Sequence, residues 1–264
     1  MPMDLGLKGR VALVTGGSKG LGRAMAEALA AEGMTVSICA RDAQKVMAVG
    51  AELNNISVRN GGRPAMAYCV GDVTNAADMR KWVDHVGGEF GGIDVLVNNA
   101  GAARPGALAE LPESAWQEQF DLNLFAPVRL ARMVAPQMEQ RGGGSIINIG
   151  SIYGRESGGP LTYNASKAAL HSFTKMLARE FAPKAIRVNT IAPGSILAPG
   201  GNWERRFKES PDFERDFISH EMPAGRLGRP DEVAYAVVML ASPRASWITG
   251  TCIPVDGAQG RSIL

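Results

Sequence analysis

Short apolar runs alternate with longer stretches of helical period along most of the chain. RVALVTG (10–16), TVSICA (35–40), RPAMAYCV (63–70), IDVLVNN (93–99), GSIINIG (144–150) and IRVNTIA (186–192) are nearly unbroken in apolar character. Between them, LGRAMAEALAAEG (21–33), a stretch at about 42–59, NAADMRKWVDHVGGEF (75–90), and stretches at about 113–140 and 163–182 have the spacing of helices. A last helix, PDEVAYAVVMLAS, precedes a final strand near Thr251 to Val255. Strands apolar on both faces and followed by helices predict a parallel sheet covered on both sides. Right-handed crossovers then give an α/β doubly wound fold of about seven strands, read as one domain over 1–264. Ligands of such folds sit outside the carboxyl ends of the strands.

One segment breaks the alternation. From Gly194 to Pro223, GSILAPGGNWERRFKESPDFERDFISHEMP mixes glycine, proline, charge and exposed aromatics. It follows a strand's carboxyl end, where the ligand belongs. We therefore expect a mobile lid at about 195–222 that closes over substrate and excludes water.

Composition narrows the classes. Hydrophobic residues make up 45% and charged residues 20%, and 28 basic against 26 acidic side chains leave a net charge of +2. That balance gives no reason to expect nucleic acid or a membrane surface as partner. No apolar run has membrane-spanning length, and MPMDLGLKGR lacks the apolar core of a signal peptide, so a cytoplasmic location is expected. Cys39, Cys69 and Cys252 lie far apart without CxxC spacing and read as small buried hydrophobes. His85, His171 and His220 are solitary, so no metal site is expected.

TGGSKGLG (15–22) follows the first strand and opens the first helix, with glycines at Gly16, Gly20 and Gly22. Small residues there permit a tight turn and let a pyrophosphate approach a helix N-terminus. Downstream lie NNAG (98–101), a serine in IGS (149–151) and YNASK (163–167). Tyr163 and Lys167 are one helical turn apart and share a face. A phenol with an ordinary pKa of about 10 is a slow acid at neutral pH, and a nearby ammonium would lower that value.

These four motifs, in this order and spacing, resemble the short-chain dehydrogenase/reductase family over about residues 8–258. The resemblance implies a Rossmann fold and hydride transfer between a nicotinamide and a ketone or secondary alcohol. It implies Asn123, Ser151, Tyr163 and Lys167 as the catalytic group: Tyr163 as acid–base, Ser151 orienting the carbonyl oxygen, Asn123 holding a water that links Lys167 to solvent. Gly16, Ser18, Lys19, Gly20, Leu21 and Gly22 would hold the cofactor, together with Asp72, Val73, Asn99, Ala100, Gly101, Tyr163, Lys167, Pro193, Gly194 and Ile196.

At the end of the second strand Ala40 replaces the aspartate of NAD-dependent relatives and Arg41 follows. Arg41 and Lys19 suit a 2′-phosphate, so NADP is expected over NAD, with Asp42 read as the cap of the next helix. After Pro193-Gly194 the run is SILAP, with Ala198 near the slot where relatives carry a carboxamide-binding threonine. Ala258 stands where relatives often have a second glycine. Tyr153 is assigned to the pocket wall. PAGRLGRPDEVA and the closing VDG are typical of 3-oxoacyl-[acyl-carrier-protein] reductases, but also of sugar, steroid and xenobiotic ketone reductases. An acyl-carrier-protein partner would need a basic rim, to which Arg129 and Arg179 could belong. By resemblance the chain is expected to form a homotetramer. The competing readings are an NAD-dependent alcohol dehydrogenase working oxidatively, and a non-catalytic nucleotide sensor on the same fold.

Overall fold

Strands β1 (Val11–Thr15), β2 (Thr35–Ala40), β3 (Tyr68–Val70), β4 (Val95–Asn98), β5 (Gly144–Ile149), β6 (Ile186–Pro193) and β7 (Cys252–Val255) form one sheet. Its order is β3-β2-β1-β4-β5-β6-β7, and every pairing is parallel. The computed structural model describes residues 4–64 and 68–263. Between the strands run α1 (Gly20–Ala31), α2 (Ala43–Arg59), α3 (Ala76–Phe90), α4 (Glu113–Phe120), α5 (Ala126–Gln140) and α6 (Leu161–Phe181). After β6 come α7 (Asn202–Glu209), α8 (Pro211–Glu221) and α9 (Pro230–Ala241).

The two-residue period of β1 sorts its side chains onto two cores. Val11 and Leu13 pack with Met79 and Trp82 of α3, Leu130 of α5 and Leu177 of α6. Ala12 and Val14 face Met25 and Leu29 of α1, Leu53 of α2 and Val237 of α9. Helices therefore cover both faces of a doubly wound parallel sheet. Among the polar groups caught in these layers, Trp82 donates from Nε1 to Ser37 Oγ at 2.8 Å. At the amino ends of the strands, the shielded Asp94 carboxylate accepts from Val11 N at 2.8 Å and pairs with Arg10 and Arg141. The carboxyl ends, on the opposite edge, are left for the loops that build the site.

Three expectations need correction. The strand expected over 63–70 is seen only at Tyr68–Val70, with residues 65–67 outside the described residues. The long helix expected at about 113–140 is broken into α4 and α5 by a five-residue π turn, Asp121–Phe125. Pro127 explains the break: with no N–H it cannot donate to the Asn123 carbonyl, so the α-helical ladder cannot run through. The lid segment is not irregular but contains α7 and α8. Its aromatics, read as exposed, pack on one another: Trp203 and Phe207 on α7 meet Phe213 and Phe217 on α8, with ring centroids 4.4 to 6.5 Å apart. With Ile218, Met222 and Leu227 they make a small core separate from the two that flank the sheet.

Cys39 and Cys69, distant in sequence, are partners in register across β2 and β3. Cys39 is buried, while Cys69 and Cys252 are only partly so; all are free thiols. Among the described residues no helix is long and apolar enough to cross a membrane.

Candidate active site

The sheet order reverses direction between β1 and β4, and the turns leaving these two strands are locked together. Thr15 Oγ1 accepts from Asn99 N at 2.9 Å and from Ala100 N at 3.0 Å. Asn99 Nδ2 donates back to Thr15 O at 2.9 Å and to Gly16 O at 3.3 Å. Gly16 takes φ +65°, a left-handed conformation that an L side chain resists. A Cβ on Gly22 would stand 2.2 Å from Gly16 O, so α1 can approach the turn this closely only with glycine there.

Among the described residues no side chain caps the N-terminus of α1 at Lys19. Its first N–H groups therefore remain without intrahelical or side-chain partners, at the positive end of a helix dipole. This donor set, above a turn that a Cβ would fill, fits the pyrophosphate of a dinucleotide. Ser18 is buried in the turn, Gly20 and Leu21 are half-buried, and Lys19 is exposed. Ala198 Cβ lies 3.8 Å from the position a Gly20 Cβ would take, so the run after β6 folds back toward this turn.

The outer end of the crevice lies past β2 and β3. Arg41 is 83% exposed, and its Nη1 is 3.7 Å from Asp72 Oδ2. Asp42 accepts from Lys45 N at 3.1 Å, as a cap of α2. Asp72 Oδ1 accepts from Thr74 N and Thr74 Oγ1 at 2.9 and 2.8 Å. Burial acts to raise the Asp72 carboxyl, but the two Thr74 bonds and the Arg41 charge outweigh it and hold the group below its ordinary value. Val73 is buried behind it. The exposed guanidinium at the strand end, only loosely paired with Asp72, is a ready partner for an anionic group.

The other residues of interest converge beyond β5. Lys167, on the second turn of α6, is 4% exposed and donates from Nζ to Ile149 O at 2.7 Å. Among the described residues no carboxylate lies within ion-pair distance of it. Burial lowers the amine to about 8. The same Nζ is 5.6 Å from the centroid of the Tyr163 ring.

Ser151 caps the short turn Ile152–Gly154 by accepting from Tyr153 N at 3.2 Å. Its side chain and the Tyr163 phenol line the same cavity. The ammonium was expected to pull the Tyr163 pKa down. Instead burial, the largest effect, raises it, opposed by the Ser151 side chain. The phenol therefore keeps its proton at neutral pH.

Asn123 projects from the π turn. Its Nδ2 donates to Ala102 O at 3.1 Å and to Ser166 Oγ at 3.0 Å, and its Oδ1 accepts from Ala102 N at 3.2 Å. Ser166 in turn donates to Tyr163 O at 3.0 Å. Gly101 fits between: a Cβ there would stand 3.0 Å from Asn123 Oδ1 and 3.4 Å from Lys167 Nζ.

A cavity of about 220 Å³ opens onto Ser151 and Tyr163. Ser151, Tyr153, Tyr163, Pro193, Gly194, Asn202 and Trp203 are among its walls, and none of the lining side chains is charged. Tyr153 is thus a wall residue, and Gly158 and Gly159 lie against its ring, where a Cβ would come within 2.4 and 2.7 Å. The Pro193–Ile196 turn is braced by Gln259. Its Oε1 accepts from Ser195 N at 2.7 Å and its Nε2 donates to Ser195 Oγ at 3.0 Å. Ile196 bridges to Gly228. Ala258, where relatives favour glycine, takes φ +66°, a conformation costing an L-residue about 1–2 kcal/mol.

Sequence reasoning missed Thr15, Ser166 and Gln259, which hold the site together from behind. Ser166 lies inside the quoted YNASK motif, but its small polar side chain carries no signal of the partners it meets.

A family model described as enoyl-(acyl carrier protein) reductase matches residues 16–258. The 3-oxoacyl-[acyl-carrier-protein] reductase FabG of Vibrio cholerae is 39% identical over 254 residues, covering 96% of this chain and 98% of the relative. That of Escherichia coli is 37% identical with the same coverage. The structure of L-sorbose reductase from Gluconobacter frateurii, complexed with NADPH and L-sorbose, superposes with a TM-score of 0.91 at 34% identity. It covers 99% of this chain and 100% of its own. A short-chain type dehydrogenase/reductase from Mycobacterium ulcerans superposes with a TM-score of 0.87 at 30% identity, over 96% of this chain and 90% of its own. With that fold, glycine turn and Ser–Tyr–Lys grouping, the chain belongs to the short-chain dehydrogenase/reductase family of NAD(P)-dependent oxidoreductases.

Proposed function

We propose that the chain reduces a ketone to a secondary alcohol with NADPH. The observation that carries this reading is a buried ammonium without a carboxylate partner, Lys167, set one helical turn from a phenol that keeps its proton. When bound, the reduced nicotinamide supplies a hydride to carbonyl carbon. Negative charge then develops on the carbonyl oxygen, and Tyr163 hands its proton to that oxygen. Ser151 Oγ donates to the same oxygen and fixes its position. Lys167, held by Ile149 O, places positive charge beside the phenolate as it forms. Asn123 keeps its amide between Gly101, Ala102 and Ser166 and anchors the water path that restores the proton.

Gly16, Ser18, Gly20, Leu21 and Gly22 would hold the pyrophosphate, and Asp72 and Val73 the adenine. Asn99, Ala100, Gly101, Pro193, Gly194 and Ile196 would hold the nicotinamide half. Arg41 and Lys19 would hold the 2′-phosphate. The FabG relatives carry the name of 3-oxoacyl-[acyl-carrier-protein] reductases and the Gluconobacter neighbour that of an L-sorbose reductase; a ketone is common to both. Several of the basic side chains that could form a rim for an acidic carrier are already engaged, though Arg179 has no ion pair among the described residues. Arg129 is tied to Asp121 at 2.6 Å, Lys208 to Glu204 and Arg215 to Asp212, while Arg206 stacks on Trp203 and Phe213. A neutral substrate small enough for the uncharged cavity fits better, with α7 and α8 as the lid and Asn202 and Trp203 as its inner face. The chain assembles as a homotetramer, with the exposed Tyr235, Met239 and Trp247 of the α9 region on one contact face and Met176 of α6 with Phe125 on another.

The first test is a panel of L-sorbose, a 3-oxoacyl thioester and a 7-oxo steroid with NADPH and with NADH. We expect reduction with NADPH, and Tyr163→Phe should lower kcat by about 100- to 10,000-fold, far more than it weakens NADPH binding. Cofactor binding with no turnover of any ketone would favour the sensing alternative, and full activity of Tyr163→Phe would refute the proton donor.

Because burial brings Lys167 to about 8, kcat/KM for NADPH should fall as pH rises through that value, as the ammonium loses its proton. This quantity reports the free enzyme, and a flat profile from pH 7 to 9 would contradict the role given to the lysine.

Arg41→Ala should cut the preference for NADPH over NADH by about 10- to 100-fold, the worth of charge-assisted bonds to phosphate. An unchanged ratio would remove Arg41 from the phosphate site. Sedimentation velocity should show a species of four chains, and a monomer at micromolar concentration would refute the assembly.

A further inference from the structure

One turn beyond Lys167, α6 carries a histidine that the proposed chemistry does not use. His171 lies beneath the turn that presents Ser151. A Cβ on Gly150 would stand 2.2 Å from His171 Nε2, and one on Gly154 2.7 Å from His171 Cε1. The residues immediately before Ser151 and three after it thus rest on the imidazole, and both must be glycine for the backbone to come that close. His171 Nε2 is shielded from solvent and has no hydrogen-bond partner among the described residues, and Nδ1 is 3.8 Å from Cys252 Sγ.

A buried ring nitrogen left without a partner is destabilising. No hydrogen bond at Nε2 explains the ring, and the Nδ1 contact to sulfur is a long one. What it supplies at this place is volume and a flat face. Burial, then the charges of Lys167 and Arg155, press the imidazole down to about 4 against the opposing effect of the Gly154 backbone. It stays neutral, and Lys167 has no second cation beside it.

The surroundings show what that volume does. Ile149, before the turn, is fixed by Lys167 Nζ at 2.7 Å, and Glu156, after it, by Asn164 Nδ2 at 2.8 Å. Within the turn, Gly150 N reaches Ile191 O at 2.7 Å, and Tyr153 N reaches Ser151 Oγ at 3.2 Å. One turn beyond these two anchors on α6, the imidazole lies against the backbone at Gly150 and Gly154. We propose that His171 is a positioning residue: it is the wedge between α6 and the Gly150–Gly154 turn that sets where Ser151 Oγ stands relative to the Tyr163 hydroxyl. This rests on the reading of Ser151 as the group that orients the carbonyl oxygen.

The test is a double-mutant cycle on kcat, with NADPH and whichever ketone of the panel above turns over fastest. Melting temperature and NADPH affinity, read by fluorescence, are measured on every variant. His171→Ala should lower kcat by about 10- to 100-fold, the loss expected from misplacing a reacting group by a fraction of an ångström to an ångström. NADPH affinity should stay within twofold. In a Ser151→Ala background the same change should cost little further, because no hydroxyl remains to be positioned. His171→Gln, which refills most of the space, should recover kcat toward the parent. Gly150→Ala, whose new methyl group pushes the turn off the ring, should reproduce the loss and gives a second reading if His171→Ala does not fold.

Equal losses with and without Ser151 would overturn the proposal, as would full kcat in His171→Ala or a His171→Gln variant as slow as His171→Ala. Full activity of Ser151→Ala alone would instead refute the role of Ser151, a failure visible before His171 is touched.

Discussion

A lysine ammonium sealed from water and left without a carboxylate is the constraint around which the rest is arranged. Removing such a charge from solvent costs several kcal/mol unless polar groups answer it. At Lys167 the answer comes from one backbone carbonyl, that of Ile149 at the end of β5. For that oxygen to face α6, β5 must stop there and turn, and the turn then carries Ser151. For α6 to bring the amine so close, the opposite wall must be thin, and Gly101 is where it thins. The π turn serves the same end by delivering the Asn123 amide to Ser166 and the backbone of Ala102. An amine so placed is unsettled until a neighbour takes on negative charge, and hydride transfer to a carbonyl produces such a neighbour.

The cofactor side rests on a different economy. Thr15 and Asn99 satisfy one another and the backbone on either side, so the exits of β1 and β4 move as one piece. The crevice between them is thereby preformed, and the uncapped end of α1 keeps its donors aimed at it without spending any on a side chain. Preorganisation of this kind lowers the ordering cost of binding.

How much of this could be read from the sequence depended on the range of each interaction. β2 has the boundaries that its apolar run predicts, because a strand buried on both faces announces itself residue by residue. Asp42 is visible as a cap because the bond it accepts spans three positions. The split between α4 and α5 was hidden by continuous helical spacing, although Pro127 was there to be weighed. The pairs 203/207 and 213/217 have i, i+4 spacing, yet the surrounding glycine, proline and charge concealed that two short helices would bury them together. Cys39 and Cys69 meet only through strand register, and Ser166, Thr15 and Gln259 only through tertiary contact. The direction of the Tyr163 shift was misjudged for a related reason: the motif displays the ammonium, but not the depth at which the phenol is buried.

The aromatic nucleus of α7 and α8 bears on how such a chain can change over time. Because Phe207, Met222 and Leu227 pack with their own neighbours and not with the layers flanking the sheet, substitutions there draw on a separate reserve of stability. The appendage can drift, lengthen or be exchanged by recombination while the hydride-handling machinery beneath it stays intact. Diversity in what enters the cavity can thus accumulate in about thirty residues without renegotiating the architecture of the remainder.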